Sequence, residues 1–575
     1  MIPSAPVTEI PEPRLRKWGA ALLAGFIVTL TTFGCGPKQP PPPPEDVAKA
    51  EGYLGAVRDH LDAILELGRD HYGTPTPLFV DGLEVTTYDP VRWSYDDHRW
   101  ILSNLANQQD LLRSLDGMSA LTGDRSYREA AINALRYQFD HLKTANGLLL
   151  WGGHTCYDAE SEQWVGRRFH WLGKNRTPVH ELKSCYPYYE LMWEVDPDAT
   201  AQLIRTFWAA HIRDWSNLDF DRHGSVVRPK PPGREVWDEK FNEDAEVYFR
   251  SAGRTFVNTG SDLYYSAGML YHLDRDKGAL AWARRIAGRY VAARNPKTGL
   301  RGYQFSNVEE VDRAFEQFGD VFPDSLVNEA TIFDPNALPK PELALMRLSE
   351  TLGIDGEIFR KWAIEDLIAI GRQAYDPEKG TFKTLLTDGS DLTAVEMPRD
   401  GYFGPKGTRF ATWASEDYLL CYATAARLDS DPFLWEMARN VARDAGLGDI
   451  GNRDGTEMAL APEPTTDFPT HLMALLELYR QTGHRAYLDQ ACQVGDNILR
   501  NRFENRLFTP GPGFKFTRTS RPEPLALLHL AAALLRQPDK IPTYTDGHAY
   551  FACELKSTDP NYTFDHNVIY IQRRE

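Results

Sequence analysis

The stretch SALTGDRSYREAAINAL, residues 119–135, indicates how this chain folds. Its Thr-Gly pair is typical of a helix end, because glycine readily adopts the left-handed conformation that follows a last helical turn. An aromatic residue, Tyr127, then stands at the start of a second amphipathic segment. The stretch therefore predicts a helical hairpin.

The same pattern recurs along the chain. It is clear in YRQTGHRAYLDQACQV, residues 479–494, and weaker over residues 271–287 and 426–442. Amphipathic segments of helical period fill much of the sequence between these copies. Hairpins repeated in this way are typical of an α/α toroid or of a helical solenoid, and we predict a mainly α protein built as a toroid.

Long segments rich in turn residues and aromatic side chains separate the helices. They cover residues 148–180, 216–247, 298–340 and 376–413. Loops of this length inside a compact domain are usually functional. An Asp-Gly pair in the last of them favours a hairpin, so small β arms are expected. We predict a cleft at the end of the toroid that carries these loops.

The N-terminal segment has the features of an export signal. Basic residues precede an apolar stretch, residues 18–34, and Cys35 follows it directly. This order is typical of a secretory signal, and a cysteine at this place resembles the lipidated cysteine of bacterial lipoproteins. Ordinary cleavage and an uncleaved membrane anchor are the alternatives. We predict a signal over residues 1–35 and a periplasmic or lipid-anchored protein.

A proline-rich linker is predicted over residues 36–45, where five consecutive prolines favour an extended spacer. The rest of the chain contains no second linker of this kind. We therefore predict one catalytic domain over residues 46–575.

The charge of the chain restricts its partners. It contains 64 basic and 81 acidic residues, which give a formal net charge of −17. A chain this acidic is a poor nucleic-acid binder, and an anionic substrate would require a local cluster of cations. Six cysteines are scattered without a CxxC motif, so a zinc ribbon or redox motif is not indicated. Cys156 and Cys185 are the candidates for a disulfide.

Three segments concentrate side chains that can bind metal or act in catalysis. LLLWGGHTCYD, residues 148–158, places His154 after two glycines. NRTPVHELKSCYPYYELMWEVDP, residues 175–197, contains Glu181. FDRHGSV, residues 220–226, places Arg222 beside His223 and in front of Gly224.

Each of these features alone has an ordinary structural explanation. Thr177 and Pro178 predict a helix start, with Glu181 in its first turn on one face with Cys185 and Tyr188, and a helix dipole favours a glutamate there whatever its role. An Arg-His pair in a turn is usually solvated. The separations between the segments fit no local metal motif, and three other histidines compete for the role: His170, His180 and His211.

Taken together, WGGHT, HELK followed by YPYYELMWEVDP, and a helix leading into RHG resemble the family 2 polysaccharide lyases, metal-dependent pectate lyases with an α/α barrel. The resemblance covers most of the chain after residue 46 and is sharpest between residues 148 and 265. It implies that His154, Glu181 and His223 hold a divalent transition metal.

The resemblance also implies the reaction. Polygalacturonate would be cleaved by β-elimination, with Arg222 as base and manganese as the first choice of metal, nickel and cobalt being alternatives. Arginine is protonated in nearly every protein context. In the alternative, Arg222 keeps its proton, and a tyrosine or a metal-bound hydroxide acts as base. We expect a monomer that contacts substrate carboxylates through Arg250 and Arg254, with further cleft cations at Lys515, Arg518 and Arg521.

Other readings of the sequence stay open. A glycoside hydrolase on the same toroid would need two flanking carboxyl groups, for which the candidates are Asp158, Glu190, Asp262 and Glu416. A sugar epimerase would use two histidines as acid and base without a metal. A surface lipoprotein that only binds uronate glycans would lack the metal set.

Overall fold

The structure is a computed structural model that describes residues 40–95, 97–152, 155–166, 179–225, 232–251, 253, 255–307, 316–321, 332–401, 403–547 and 566–574. Its helices are α1 (Pro44–Leu67), α2 (Gln109–Thr122), α3 (Arg125–Tyr137), α4 (Tyr189–Val195), α5 (Pro197–His211), α6 (Val257–Asp274), α7 (Lys277–Ala292), α8 (Pro339–Leu352), α9 (Glu357–Ala374), α10 (Leu419–Leu428), α11 (Pro432–Asp444), α12 (Pro469–Thr482), α13 (Arg485–Arg502), α14 (Pro522–Leu534) and α15 (His566–Ile569).

The strands are short. They are β1 (Gly82–Glu84), β2 (Arg92–Tyr95), β3 (His98–Ser103), β4 (Cys156–Asp158), β5 (Gln163–Val165), β6 (Val179–Glu181), β7 (Ile212–Asp214), β8 (Asp219–Phe220), β9 (His223–Ser225), β10 (Phe249–Arg250), β11 (Ser306–Asn307), β12 (Ile332–Phe333), β13 (Tyr375–Asp376), β14 (Thr381–Lys383), β15 (Leu385–Leu386), β16 (Thr412–Ala414), β17 (Gly448–Asp449), β18 (Ala459–Leu460), β19 (Phe503–Glu504), β20 (Leu507–Phe508) and β21 (Phe516–Arg518).

The Thr-Gly stretches end helices as predicted. Gly123 follows α2 with φ 79°, and its N–H bonds back to the carbonyl of Ser119. The carboxylate of Asp124 then caps α3 by accepting from the N–H of Ser126. Gly483 follows α12 in the same way, with φ 72°. Left-handed glycines of this kind satisfy the last helical carbonyls and let the chain reverse.

The hairpins follow one another in a ring. α2 packs against α3, α4 against α5, α6 against α7, α8 against α9, α10 against α11, and α12 against α13. Neighbouring hairpins join through α3–α4, α4–α6, α6–α8, α8–α10, α10–α12 and α12–α14. α14 packs against both α1 and α2, so the order of packing returns to its start. The prediction of a mainly α toroid is confirmed.

The connections differ between the two ends of the ring. Within the hairpins the turns are short, as at residues 123–124, 275–276 and 483–484. Long segments precede α2, α4, α6, α8, α10, α12 and α14, and they contain all the strands of the described residues. In antiparallel hairpins these segments lie opposite the short turns, at what we call the loop end. Four of the strands form the largest sheet, in the order β2-β3-β4-β5.

The predicted Asp-Gly hairpin is present in one of these segments. Leu385 and Asp391 face each other across a bridge, and Gly389 in the turn has φ 97°. β15 within this hairpin pairs with β12 from the preceding segment. The small β arms therefore form, and they connect neighbouring loops.

The predicted signal, residues 1–35 with Cys35, lies outside the described residues. The predicted linker, residues 36–45, is described from Pro40 onward. Pro43 is extended, with φ −57° and ψ 145°, and Pro44 already opens α1. Proline is favoured at a first helical position because its missing N–H has no helical partner. Residues 42–575 group as one compact unit. None of the described helices is both long and apolar enough to span a membrane.

The expected disulfide is not formed. Cys156 and Cys185 are both buried free thiols. The amide of Asn104 donates to Sγ of Cys156 at 3.2 Å, whereas Sγ of Cys185 lies 3.7 Å from the carbonyl oxygen of Ala106. Each sulfur therefore has its own polar neighbour.

Candidate active site

Two of the three predicted segments meet in a small sheet at the loop end. β6 and β9 run antiparallel, and Glu181 lies directly opposite His223. His180 faces Gly224 in the same register. Directly opposed residues in such a pair have neighbouring Cβ atoms on one face of the sheet. The fold thus brings Glu181 and His223 together from distant parts of the chain.

The local prediction for Glu181 was wrong. Glu181 lies in β6, and the next described helix begins only at Tyr189. The N–H of Glu181 donates to the carbonyl of Trp151 at 3.0 Å, and that of Leu182 donates to the carbonyl of Arg222 at 2.9 Å. These long-range backbone bonds hold the segment extended. Tertiary pairing therefore overrides the helix-start pattern, whose first residues, 177 and 178, lie outside the described residues.

Three nitrogen-bearing side chains surround one oxygen of Glu181. Its Oε1 lies 3.3 Å from Nζ of Lys183, 3.5 Å from Nε2 of His223 and 4.0 Å from Nε of Arg222. The Glu181 side chain is 1% exposed, and those of His223, Lys183 and Arg222 are 17%, 23% and 25% exposed. The carboxylate is thus buried beneath a partly open layer of basic groups.

Lys183 is a member of this cluster that sequence reasoning missed. Alternate residues of an extended segment share a face, so Lys183 emerges beside Glu181 while Leu182 points into the core. Its signal was present in the motif HELK. It could be read only once residues 179–181 were known to be a strand.

The first predicted segment also reaches Glu181. Gly152 has φ 125°, and a Cβ on it would lie 2.4 Å from Cβ of Glu181. Only glycine allows this approach. His154, two residues later, lies outside the described residues. Within the part of the chain that the structure describes, no three His, Cys, Asp or Glu side chains converge as a metal site.

The donor types still fit a transition metal. Glu181 and His223 offer one carboxylate and one imidazole on facing strand positions. Such a mixed oxygen and nitrogen set suits manganese, nickel or cobalt, whereas calcium takes oxygen ligands alone. Two of the three predicted ligands are therefore placed together, and the third stays a prediction.

Asp221 orients His223. One of its carboxylate oxygens accepts the backbone N–H of His223 at 2.9 Å and lies 3.6 Å from Nδ1 of that ring. Burial alone would raise the pKa of Asp221, but bonds from His223 and the charge of Arg213 lower it to about 2. Arg213 pairs with Asp221 at 2.7 Å. This fixed carboxylate leaves Nε2 of His223 directed towards Glu181.

A buried pair of histidines, His180 and His211, supports the sheet formed by β6 and β9. Nδ1 of His180 lies 2.8 Å from Nε2 of His211, and Nδ1 of His211 donates to the carbonyl of Asp221 at 2.6 Å. Burial holds the pKa of His180 well below its usual range and lowers that of His211 to about 4, so both rings are neutral. Both are fully buried, which leaves them no access to a substrate.

Gly224 is required by this pair. A Cβ on Gly224 would lie 2.5 Å from Nε2 of His211. His180 and His211, two of the competing metal candidates, are therefore structural in their placement. The third, His170, lies outside the described residues.

The loop after Glu181 is held by a buried carboxylate. Oδ2 of Asp262 accepts the backbone N–H of Lys183 at 2.6 Å, and the backbone N–H groups of Ser184 and Cys185 also interact with it. Ser184 adopts a left-handed conformation, with φ 55°, and its hydroxyl donates to the carbonyl of Asn258. Burial raises the pKa of Asp262 well above its usual range. The clamp places residue 183 firmly.

Arg222 lies at the edge of the site. Its guanidinium stands over the ring of Phe256, with Cζ 5.6 Å from the ring centre. Phe256 immediately precedes α6. A cation over an aromatic face is attracted by the ring quadrupole, so this contact limits where the Arg222 side chain can point.

The predicted substrate-binding cations lie in different surroundings. Arg250 is exposed in β10, which pairs in parallel with β11, and Arg254 lies outside the described residues. The guanidinium of Arg518 packs on Tyr570, and Arg521 is paired with Glu523 at 2.6 Å. Lys515 packs against its neighbour Phe516. Arg518 and Arg521 are buried, so the cleft role predicted for them is wrong.

Two of the four carboxyl groups proposed for a hydrolase are engaged in structural bonds. Asp158 accepts the N–H of Ile101 at 2.8 Å and the hydroxyl of Ser161 at 2.5 Å. Asp262 holds the loop described above. Glu190 lies in the first turn of α4, and Glu416 lies in the short 3-10 turn before α10. Each group belongs to a different element, and the first two are occupied by structural bonds.

The sequence is similar to a known protein family and to a known relative. The sequence profile of a family described as periplasmic pectate lyase matches residues 76–554. A pectate disaccharide-lyase from Dickeya dadantii (strain 3937) is 29% identical over 547 residues, which cover 91% of this chain and 96% of that protein.

Solved structures share only a distant likeness. An α-mannanase of glycoside hydrolase family 76 from Bacteroides thetaiotaomicron matches with a TM-score of 0.41 and 9% identity, over 86% of this chain and 99% of that one. A cellobiose 2-epimerase from Bacillus thermoamylovorans matches with a TM-score of 0.40 and 8% identity, over 84% and 100%. TM-scores this low carry no argument about this chain.

Proposed function

Because the chain belongs to the periplasmic pectate lyase family, it is a polysaccharide lyase, and we propose that it cleaves polygalacturonate or its oligomers by metal-assisted β-elimination. The family match confirms the resemblance drawn from the motifs between residues 148 and 265. The reaction mechanism, the metal and the exact substrate are the proposal.

One observation supports this mechanism above the others. Glu181 and His223 face each other across β6 and β9, and Arg222 stands beside both. These three residues were selected from two separate sequence motifs. The pairing of β6 with β9 thus brings together the residue types that the proposed reaction needs.

The reaction sets clear demands on the protein. β-elimination removes the C5 proton of a galacturonate residue and releases the glycosidic oxygen on C4. Negative charge then grows towards the carboxylate next to C5. The site must therefore place a base within hydrogen-bond reach of the proton and direct cationic groups at the place where the charge grows.

We assign the base to Arg222. This residue can accept the C5 proton only as a neutral guanidine, a form that the positive charge of Lys183 and of a metal held by Glu181 and His223 would favour. It is partly exposed, it borders Glu181, and Phe256 limits the orientation of its guanidinium. Its neighbour His223 is held by Asp221 through both backbone and ring. A group fixed in this way can meet the proton of a bound substrate without first being ordered.

Glu181 and His223 would hold the metal, with His154 as the proposed third ligand. Manganese is the first choice, and nickel and cobalt are alternatives. When bound, such a metal supplies positive charge beside the substrate carboxylate. Asp221 acts by orienting His223, and the neutral pair His180 and His211 acts by supporting the strands that carry both ligands.

The rival functions find less support at this site. An epimerase could use His180 and His211 as acid and base, yet both rings are fully buried. A hydrolase would need two carboxyl groups flanking the bond, and two of the four candidates, Asp158 and Asp262, accept backbone N–H groups in structural bonds. A protein that only binds uronate glycans would have no use for the Glu181–His223 pair.

The family description also bears on where the protein acts. It supports export, and we propose that the protein is periplasmic and anchored by a lipid on Cys35, as the composition of residues 1–35 indicates. The test is a Cys35→Ser variant in the native bacterium. Both proteins are labelled with a fatty-acid analogue: label on the parent that the variant lacks supports the anchor, and an unlabelled parent contradicts it.

A product assay tests the proposed reaction. The protein is incubated with polygalacturonate in the presence of manganese and, separately, of a chelator. Elimination leaves a C4–C5 double bond that absorbs in the ultraviolet, whereas hydrolysis produces reducing ends without this absorbance. We expect absorbance with manganese and none with chelator. Reducing ends without absorbance would contradict the reaction, and equal rates in chelator would contradict the metal.

A further inference from the structure

We infer that Lys183 is a substrate-positioning residue that binds a carboxylate of the uronate chain beside the Glu181–His223 pair. This inference rests on the proposed function and extends it to a residue that was in none of the predicted sets. Its basis is the position of the side chain, the rigidity of its backbone and the charge balance of the site.

The position of Lys183 is the first argument. Its Nζ lies 3.3 Å from Oε1 of Glu181, on the same face of the extended segment. The Glu181 side chain is almost completely buried, whereas that of Lys183 is partly exposed. The ammonium group therefore lies beside the buried carboxylate and is itself partly open to solvent, where a ligand can reach it.

The backbone of residue 183 is fixed by buried contacts. Its N–H donates to Asp262 at 2.6 Å, and Leu182 before it donates to the carbonyl of Arg222. Ser184 after it is held in a left-handed conformation and bonded to Asn258. A side chain that only had to meet solvent would need no such support. Preorganised groups lose less entropy when a ligand binds.

The charge balance supplies the chemical argument. Lys183 and Arg222 lie within 4.0 Å of the same Glu181 oxygen. Once Glu181 shares its charge with a metal, less of that charge is left for the ammonium, which can then attract another anion, and each residue of polygalacturonate carries one carboxylate. A lysine is a compact charge with three donors and suits a carboxylate that arrives from solvent. In a chain of net charge −17, local cations of this kind are needed to attract a polyanion.

Three variants test this role. Lys183→Met removes the charge and keeps most of the side-chain length, and Lys183→Arg keeps the charge. Lys361→Met is the matched control, because Lys361 is exposed on α9 and pairs only loosely with Glu365, at 3.8 Å. For each protein, KM and kcat on polygalacturonate are measured, together with the number of manganese ions bound by calorimetry.

We expect Lys183→Met to raise KM by about 10- to 100-fold, the loss that a hydrogen bond to a charged group represents, with a smaller change in kcat. Lys183→Arg should recover part of the loss, and Lys361→Met should match the unmodified protein. Manganese binding should be unchanged in all three. A KM for Lys183→Met within about twofold of the unmodified protein overturns the inference, and so does a loss of bound manganese, since Lys183 would then act through Glu181.

The outcome stays separable from that of the proposed function. If the unmodified protein forms no unsaturated product, the proposed reaction fails. The protein then does not cleave the oligosaccharide, so its binding can be measured at equilibrium. Calorimetric binding of trigalacturonate can in that case be compared directly. Weaker binding by Lys183→Met than by the unmodified protein supports the inference. Equal binding by the two, or no binding by the unmodified protein, overturns it.

Discussion

Two buried glutamates of this protein have opposite surroundings. Glu477 on α12 is bonded by two arginines, Arg347 from α8 at 2.7 Å and Arg427 from α10 through a short contact. Glu350 closes the group by pairing with both arginines, at 2.8 and 2.7 Å. Glu181, on a strand at the loop end, has its three basic neighbours at 3.3 to 4.0 Å.

The difference separates a structural cluster from a functional one. The Glu477 cluster ties three helices of the ring together, and its bonds have ordinary hydrogen-bond lengths. The Glu181 cluster collects nitrogen-bearing side chains around a buried carboxylate at distances mostly longer than such bonds, and these side chains are partly exposed to solvent. Buried charges need compensation. Glu477 receives it through short bonds inside the ring of helices, whereas the basic neighbours of Glu181 are partly exposed to solvent.

The largest expected effect concerns catalysis alone. Replacing the proposed base by Arg222→Lys should lower kcat by about 10²- to 10⁴-fold, the usual contribution of a general base. The free energy of unfolding and manganese binding should change little, because Arg222 is partly exposed. Steady-state rates of unsaturated product formation provide the measurement. Arg443→Lys, at the exposed end of α11, is the control and should keep full activity. Full activity in Arg222→Lys itself would refute its role.

The second prediction compares the two glutamates directly. Glu477→Gln leaves two buried arginines without their carboxylate, so it should lower the free energy of unfolding by about 3–5 kcal/mol. Glu181→Gln is the comparison and should lower it by less, because the groups that lose the carboxylate, Lys183, His223 and Arg222, are partly exposed to water. Chemical denaturation of both variants measures the difference. Similar losses in the free energy of unfolding would contradict the distinction between a structural Glu477 cluster and a functional Glu181 cluster.

Acid should reduce the stability that the Glu477 cluster contributes to the fold. Burial alone would raise the pKa of Glu477, but Arg347 and Arg427 lower it to about 2 from an ordinary value of 4.5. The stability that this group contributes is therefore fully present above about pH 4.5 and is lost as the pH falls towards 2. Unfolding of the parent and of Glu477→Gln, measured across this range, should converge at low pH. A constant gap between the two proteins would contradict this assignment.

The smallest expected effect comes from Gly224. Gly224→Ala would place a Cβ 2.5 Å from the ring of His211, and such overpacking costs about 1–3 kcal/mol. It should also reduce activity, since β9 carries His223. Gly52→Ala in α1 meets nothing within 4 Å and is the control, with an expected gain of about 0.5–1 kcal/mol. Thermal unfolding and product assays on both variants check this. An unchanged free energy of unfolding in Gly224→Ala would contradict the claim that Gly224 is closely packed against His211.

The helical ring was predictable because its signals are local. Gly123 and Gly483 end helices through their own conformational freedom, and the amphipathic period marks the helices beside them. The participation of Glu181, Arg222 and His223 could be proposed from motifs. Their meeting could not be derived from spacing, because it depends on pairing between strands that lie far apart in the chain.

The predictions that were wrong or missing also concern side chains whose surroundings depend on distant parts of the chain. Glu181 was placed in a helix because Thr177 and Pro178 form a helix-start pattern, and the pairing of β6 with β9 overrides that pattern. Lys183 and Asp221 were missed because their roles depend on which face of a strand or turn they occupy. The cleft role of Arg521 was wrong because its partner, Glu523, is buried with it.

The most direct test of the central claim is a calorimetric titration of manganese into the chelator-treated protein and its Glu181→Gln variant. The account predicts one bound ion per chain for the unmodified protein. It predicts none for the variant, with both proteins folded to the same extent. Equal manganese binding by the two proteins, or no binding by the unmodified protein, would contradict the claim that Glu181 and His223 form the metal site of this lyase.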